Sequence, residues 1–135
     1  MTAQLGDRAT ISKTITEADI AMYTAVSLDT NPVHLDEVQA AATPFGGRIA
    51  HGMLSAGLIS AVLGTKLPGP GTVYLSQDLR FVAPVRIGDT VTAEVIVTVI
   101  GERGRVTLET TCTNHRGERV VEGSAVVVAP RKANP

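Results

Sequence analysis

Apolar and polar residues alternate along most of the second half of the chain. The alternation runs through residues 73–86, 89–100, 105–114 and 119–128, and a period of two is typical of strands with one buried face. Short polar turns separate the last three runs. The pattern therefore predicts four strands in an antiparallel meander and not a βαβ unit.

The first half of the chain predicts one strand followed by a helix. Residues 8–15 are rich in β-branched side chains and alternate loosely, which indicates a strand. Thr16 and Asp19 have the spacing of a capping box, so we expect a helix from there to about Ser27. The inner face of that helix is predicted to comprise Ile20, Tyr23 and either Val26 or Ser27.

Two further helices are predicted before the strands begin. Asn31 is a favoured N-cap and Pro32 suits a first helical position, so a short helix is expected over residues 33–42. Residues 49–64 form a long apolar stretch that ends before Pro-Gly-Pro-Gly at 68–71. This stretch is shorter than the roughly 20 residues of a membrane span, and we interpret it as a helix buried on most sides.

These elements together predict an α+β architecture in which an antiparallel sheet wraps around one buried helix. This arrangement is the hot-dog fold, here with an overhanging helical segment that carries the loop around Asp29. We expect one domain over residues 1–130 and a flexible tail at 131–135. Long sheet edges and an incompletely covered helix favour a homodimer.

Composition excludes several classes of protein. With 44% hydrophobic but only 3% aromatic residues, the core must be aliphatic, and a net charge of -1 offers no basic surface for nucleic acid. A single cysteine, Cys112, excludes an intramolecular disulfide and a cysteine-based metal site. The first residues lack the layout of a signal peptide, and we expect a cytoplasmic protein without membrane contact.

Asp29 and His34 are the acid and the imidazole best placed for chemistry. On one continuous helix, residues five apart point about 140° away from each other. Pro32 interrupts that geometry, so a bend can direct both side chains to one point. A helix start also favours a carboxylate over an imidazolium. Such a pair can polarise a water and return a proton, although a surface turn and an N-cap would explain the same residue types.

Three stretches carry a resemblance to a known family. They are Tyr-Thr-Ala-Val-Ser-Leu-Asp-Thr-Asn-Pro-Val-His at 23–34, Ala-His-Gly-Met-Leu at 50–54, and Phe-Val-Ala-Pro-Val-Arg-Ile-Gly-Asp at 81–89. Together with Ala40 they resemble the MaoC-like hydratases, the (R)-specific or type 2 enoyl-CoA hydratases. Leu28 departs from the motif, which commonly has glycine before the catalytic aspartate.

The resemblance implies addition of water to a trans-2-enoyl-CoA, giving the (R)-3-hydroxyacyl-CoA without a cofactor. The length suits short bacterial members that supply monomers for polyhydroxyalkanoate. Asp29 and His34 would be the catalytic pair, and the Gly52 backbone N–H would bind the thioester oxygen. Asn31 would orient the loop or a substrate amide, and Ser60 would face the pocket.

The remaining histidines are predicted to have no part in the chemistry. His51 is expected to be structural, and His115 lies in a polar turn. Three histidines so dispersed predict no metal site.

Three other functions fit parts of the same pattern. An acyl-carrier-protein dehydratase would run the same reaction in reverse on another carrier. Some hot-dog thioesterases have a catalytic Asp or Glu on the buried helix, but residues 49–67 contain neither. A non-catalytic acyl-CoA-binding dimer would bind ligand without turnover.

Overall fold

The computed structural model describes residues 3–131, and most of the predicted tail lies outside the described residues. The helices are α1 (Glu17–Ser27), α2 (Pro32–Leu35), α3 (Glu37–Ala41) and α4 (Gly52–Thr65). The strands are β1 (Arg8–Thr14), β2 (Val73–Phe81), β3 (Thr90–Ile100), β4 (Arg105–Asn114) and β5 (Arg119–Val128). No helix within residues 3–131 is both long enough and apolar enough to cross a membrane.

The strands form one antiparallel sheet in the order β1-β3-β4-β5-β2. The predicted meander is confirmed for β3, β4 and β5 but is wrong for β2, which pairs with β5 at the sheet edge. The strand predicted over residues 73–86 is β2, and it ends earlier than predicted, at Phe81, shortly before Pro84. The connection after it passes the start of α4, where the Ala50 N–H donates to the Val85 carbonyl at 2.7 Å. This crossing carries the chain to the opposite side of the sheet, next to β1.

The sheet packs against α4 through an aliphatic core. Alternate β3 side chains (Val91, Ala93, Val95 and Val97) are buried, as the period of two predicts. The buried face of α4 comprises Ser55, Ala56, Ile59, Val62 and Leu63. The opposite face of α4, with Met53, Gly57, Ser60 and Gly64, is exposed or only partly covered. The hot-dog architecture is therefore present, but the prediction that α4 is buried on most sides is wrong for a single chain.

Cys112 is sealed in this core beside α4. Its thiol is fully buried and donates to the Ser55 carbonyl at 3.5 Å. Burial raises the pKa of the Cys112 thiol to about 12, because the thiolate would lose its hydration in the apolar surroundings. The side chain therefore packs as a small apolar group.

The capping box predicted at the start of α1 is confirmed. The Asp19 N–H donates to Thr16 Oγ1 at 3.2 Å, and the Thr16 N–H donates to Asp19 Oδ2 at 2.9 Å. Ile20 is buried and Tyr23 is half-buried, but Val26 is 85% exposed and Ser27 is exposed as well, so the predicted inward orientation of either one is wrong. The helix packs on the core through its first turns and leaves its last turn in solvent.

The helix predicted over residues 33–42 is divided into α2 and α3 at Asp36. The Asp36 backbone is extended (φ -118°, ψ 105°), and its carboxylate accepts the Gln39 N–H at 3.1 Å as the N-cap of α3. The His34 carbonyl accepts a hydrogen bond from the Arg48 side chain at 2.7 Å. The Arg48 side chain therefore supplies the hydrogen bond that a backbone N–H of the next helical turn would otherwise donate to this carbonyl.

Asp89 ties the start of β3 to the turn between β4 and β5. Its carboxylate is buried and accepts two N–H groups of Arg116, at 3.0 and 3.3 Å, and the Arg86 backbone N–H at 2.9 Å. Burial alone would raise the pKa of Asp89, but the bonds from Arg116 and Arg86 outweigh it and lower the pKa. The carboxylate thus anchors this corner in its ionised form.

We expect Arg116→Gln to destabilise the fold in a pH-dependent manner. A carboxyl whose pKa is depressed by folding stabilises above its unfolded pKa, about 3.9, and loses that contribution as the pH falls through its folded pKa. The variant should lose unfolding free energy near neutral pH, where Asp89 is ionised, and the loss should be modest because Arg116 is half exposed.

Urea denaturation at neutral and strongly acidic pH measures this effect. The difference between wild type and Arg116→Gln should shrink in acid. Arg119→Gln is the matched control, because Arg119 is equally exposed but pairs with the more accessible Glu122. A loss that is the same at both pH values would contradict the assignment.

Candidate active site

A cavity of about 400 Å³ opens between the start of α4 and the connection that follows β2. Its rim is formed by partly exposed apolar side chains, among them Phe45, Met53 and Phe81. Its floor is formed by buried residues that include Ser55, Val85 and Val121. Three ionisable side chains, Asp29, His34 and His51, also line it. The cavity therefore suits an apolar ligand whose reactive end meets a few polar groups.

Asp29 and His34 meet at this cavity, as the bend at Pro32 predicts. A carboxylate oxygen of Asp29 and ring nitrogens of His34 and His51 all lie within 4.8 Å of one another. A water hydrogen bond spans roughly 2.8 Å, so one water can donate to the carboxylate and to an imidazole at that separation. Asp29 is exposed and His34 is only 8% exposed. The acid is thus on the solvent side and the imidazole on the protein side.

The ring of His34 is held in one tautomer. Its Nδ1 lies 2.8 Å from the Ile49 carbonyl, which only accepts, so Nδ1 carries the proton and donates. In the neutral ring, Nε2 then carries a lone pair. Arg48 holds the backbone of the same residue by donating to the His34 carbonyl, and it binds Glu17 through two further N–H groups at 2.7 and 2.9 Å. These bonds from Arg48 lower the pKa of Glu17.

His51, which the sequence suggested to be structural, belongs to the site as a support for Asp29. Its Nε2 lies 3.0 Å from the Asp29 carbonyl and donates to it. Its ring stacks on that of His34, with centroids 3.9 Å apart and planes inclined by 30°. The ring of Tyr23 packs against the His51 ring, with centroids 4.7 Å apart. The Ala-His-Gly-Met-Leu stretch at 50–54 marks His51 in the sequence. It does not reveal that His51 binds the Asp29 carbonyl, which lies 22 positions away.

The same three side chains raise the question of a metal, since carboxylate and imidazole are ligands that transition metals accept. The expectation that the histidines are dispersed holds only for His115, which lies in an exposed turn and accepts the Thr90 N–H. In the cluster, one nitrogen of His34 and one of His51 already donate to carbonyls. A nitrogen lone pair lies in the ring plane, whereas these rings face each other. The geometry therefore suits a water held beside Asp29 better than a chelated ion.

Gly52 is the first residue of α4 and lines the cavity. The first N–H groups of a helix have no intrahelical acceptor, and the Gly52 N–H has no acceptor within residues 3–131. A Cβ at this position would lie 2.6 Å from the ring of Phe81. Glycine therefore serves close packing and, by the same absence of a side chain, leaves its N–H open toward the cavity.

Two residues predicted from the sequence do not line the cavity. Asn31 accepts the Val33 N–H at 3.2 Å and is exposed, so it caps α2 and shapes the loop instead. Ser60 is exposed on the outer face of α4, and its predicted orientation toward the pocket is wrong within the single chain. Ser55 lies about 140° around the helix from Ser60 and is the serine at the cavity floor.

Leu28 ends α1 directly before the Asp29 loop. Its backbone is left-handed (φ 63°, ψ 16°), and its side chain is 80% exposed. Left-handed backbone costs a non-glycine residue roughly 1–2 kcal/mol because Cβ approaches the following carbonyl. The departure from the glycine of the motif thus places local strain next to the acid.

Comparison with known proteins gives consistent matches over nearly the whole chain. The family model described as MaoC like domain matches residues 4–119. The (R)-specific enoyl-CoA hydratase of Rhodospirillum rubrum is 56% identical over 128 residues, covering 94% of this chain and 88% of the relative. The 3-hydroxybutyryl-CoA dehydratase of Methylorubrum extorquens is 50% identical over 130 residues, covering 96% of this chain and 82% of the relative.

A solved structure agrees with these matches. The (R)-hydratase from Aeromonas caviae, described as involved in PHA biosynthesis, superposes with a TM-score of 0.91 at 46% identity. The superposition covers 95% of this chain and 98% of that chain.

We expect Leu28→Gly to stabilise the protein. Glycine removes the left-handed strain, but it also loses more backbone entropy on folding, so the net gain should be about 0.5–1 kcal/mol. Thermal and urea unfolding measure it. Leu28→Ala is the control, because it trims the exposed side chain while keeping the Cβ that causes the strain. Equal stability of the two variants would show that the backbone conformation is not the cause.

Proposed function

The chain belongs to the family of MaoC-like domains, and on that premise we propose that it is an (R)-specific enoyl-CoA hydratase. As a hydro-lyase it adds water reversibly to a trans-2-enoyl-CoA and gives the (R)-3-hydroxyacyl-CoA. One observation carries the proposal: the carboxylate of Asp29 and the imidazole of His34 meet within 4.8 Å at an apolar cavity. The names of the relatives at 56% and 46% identity support the same reaction.

Asp29 and His34 hold the reacting water as two acceptors. The water donates one hydrogen to the carboxylate and one to Nε2, which leaves an oxygen lone pair directed at C3 of the enoyl group. As the C3–O bond forms, one O–H bond breaks and its proton passes to the acid–imidazole pair. The pair then delivers a proton to C2, and the C2–C3 π electrons form the new C–H bond. Both additions take place on the side of the double bond that faces the pair.

The negative charge that develops meanwhile on the thioester oxygen needs a donor. The Gly52 N–H is free within the described residues, and the start of α4 adds the positive end of a 14-residue helix. Losing one such donor typically costs about 3 kcal/mol in the transition state. The acyl chain lies over the apolar floor near Val85 and Val121, and the CoA portion leaves past the half-exposed rim.

The physiological role that we propose is supply of (R)-3-hydroxyacyl-CoA for polyhydroxyalkanoate in the cytoplasm. The Aeromonas caviae structure is described as belonging to PHA biosynthesis, and that description supports this role. An acyl-carrier-protein dehydratase would use the same pair of side chains, so only the carrier distinguishes it from the function proposed.

The functional unit that we propose is a homodimer joined at β2. Both sheet edges carry two charged side chains, Arg8 and Lys13 on β1 and Asp78 and Arg80 on β2, but only β2 also carries exposed large apolar side chains such as Leu75. The exposed small residues of α4 also leave room for a second chain.

Hydration of crotonyl-CoA, followed by chiral analysis of the product, tests the reaction directly. We expect loss of enoyl absorbance and formation of the (R) product alone. Parallel assays with crotonyl-acyl carrier protein and with saturated acyl-CoA separate the carrier and the thioesterase alternatives. Thiol release without hydration would reject the proposal.

We expect Asp29→Asn and His34→Ala each to lower kcat by roughly 10²-fold or more, because each removes one of the two groups that move the proton. Thermal unfolding should show that both variants remain folded. His115→Ala is the control, since its ring lies in an exposed turn away from the cavity. Wild-type turnover by either site variant would exclude that residue from the mechanism.

We expect Leu75→Lys to convert the dimer to a monomer, because an introduced charge would be buried at the β2 edge. Light scattering after size-exclusion chromatography measures the mass. Ser12→Lys places the same charge on the exposed face of β1 and should leave the dimer intact. A monomeric wild type, or dissociation by the β1 variant alone, would overturn the proposed interface.

A further inference from the structure

Two buried polar side-chain atoms lack a hydrogen-bond partner within residues 3–131. They are Nδ1 of His51 and Oγ of Ser55. His51 is 2% exposed and Ser55 is fully buried, and both residues line the cavity. Buried polar side-chain atoms are nearly always paired in folded proteins. Two unpaired atoms at the wall of one cavity therefore need an explanation.

The two atoms are chemically complementary. His51 uses its Nε2–H to donate to the Asp29 carbonyl, so the neutral ring has an acceptor lone pair at Nδ1. The Ser55 hydroxyl is a donor. His51 is the N-cap residue of α4 and Ser55 lies in the first turn of that helix, four positions later, so the ring stands next to the turn that carries the serine. Helical side chains also tilt toward the N-terminus, which directs Ser55 back over His51.

Other partners fit less well. A buried water usually makes about three hydrogen bonds, and these two atoms offer it only two partners on an otherwise apolar part of the floor. The Cys112 thiol donates to the Ser55 carbonyl and not to its hydroxyl. The rest of the floor near the serine is apolar, with Val85 and Val121.

We propose that the Ser55 hydroxyl donates to Nδ1 of His51 and that Ser55 is thereby a positioning residue for Asp29. The bond requires the serine hydroxyl to occupy the staggered χ1 position that faces the ring. The bond holds the proton of His51 on Nε2, where it binds the Asp29 carbonyl. It also fixes the ring that stacks on His34. The serine touches no reacting atom and acts through the imidazole.

This inference rests on the proposed hydration for its kinetic consequence only. Ser55→Ala should lower kcat for crotonyl-CoA about tenfold and change KM by less than about twofold, because a displaced acid weakens the transition state and not substrate binding. Ser55→Thr, which keeps a hydroxyl, should recover most of the loss. Thr65→Ala is the control, since it removes an exposed hydroxyl from the end of the same helix.

Nitrogen-15 NMR of the histidine side chains tests the hydrogen bond itself, and it does so whether or not the chain hydrates an enoyl-CoA. In the wild type, His51 should be the Nε2–H tautomer with the Nδ1 resonance shifted by an accepted hydrogen bond. In Ser55→Ala that resonance should move toward the value of a free lone pair, while Ser55→Thr should retain the shift.

The outcomes separate the two proposals. An unchanged Nδ1 resonance in Ser55→Ala would overturn the inference, even if kcat falls. A rise in KM, or altered acyl-length preference with constant kcat, would also overturn it by showing that the serine contacts the acyl chain. A wild type without hydratase activity but with the expected NMR shifts would reject the proposed function and leave the hydrogen bond established.

Discussion

Two hydrogen bonds that run in opposite directions hold the whole site together. His34 donates from α2 to the carbonyl of Ile49, and His51 donates from the N-cap of α4 back to the carbonyl of Asp29 in the loop after α1. Each bond joins the two segments, and together they bring the imidazole rings face to face. Because both acceptors are backbone carbonyls, the two bonds set the tautomers as well as the positions of the rings. The convergence of acid and imidazole depends on this pairing of segments.

Arginine side chains stabilise the irregular backbone that these bonds require. Arg86 donates to the carbonyls of Phe45 and Gly47, and Arg48 donates to that of His34. The carbonyls of Phe45 and Gly47 lie outside helices and strands and would otherwise depend on water. The segment between α3 and α4 is therefore held by Arg86 from the connection after β2 and by its own Arg48, which bonds to α2, and the cavity wall has a defined shape before any ligand arrives.

The sequence predicted those parts of the molecule that depend on local pattern. The bounds of β4 and β5 follow from alternation, and the capping box of α1 follows from two residues at the right spacing. Alternation reports which face of a strand is buried but not its neighbour, so the pairing of β2 with β5 was missed. The break at Asp36 depends on Arg48, which is distant in sequence. Ser60 is the serine that the family resemblance implies, and nothing in so apolar a helix indicates from the sequence which serine faces inward.

The burial of Cys112 has a practical consequence for spectroscopy of the site. A thiol with a pKa of about 12 forms almost no thiolate near neutral pH, and the thiolate is the species that reacts with maleimides and iodoacetamides. No other cysteine is present in the sequence. The native protein should therefore not react with these reagents. A cysteine introduced on the loop before Asp29 could then carry a single fluorophore or spin label and report how that loop moves when ligand enters.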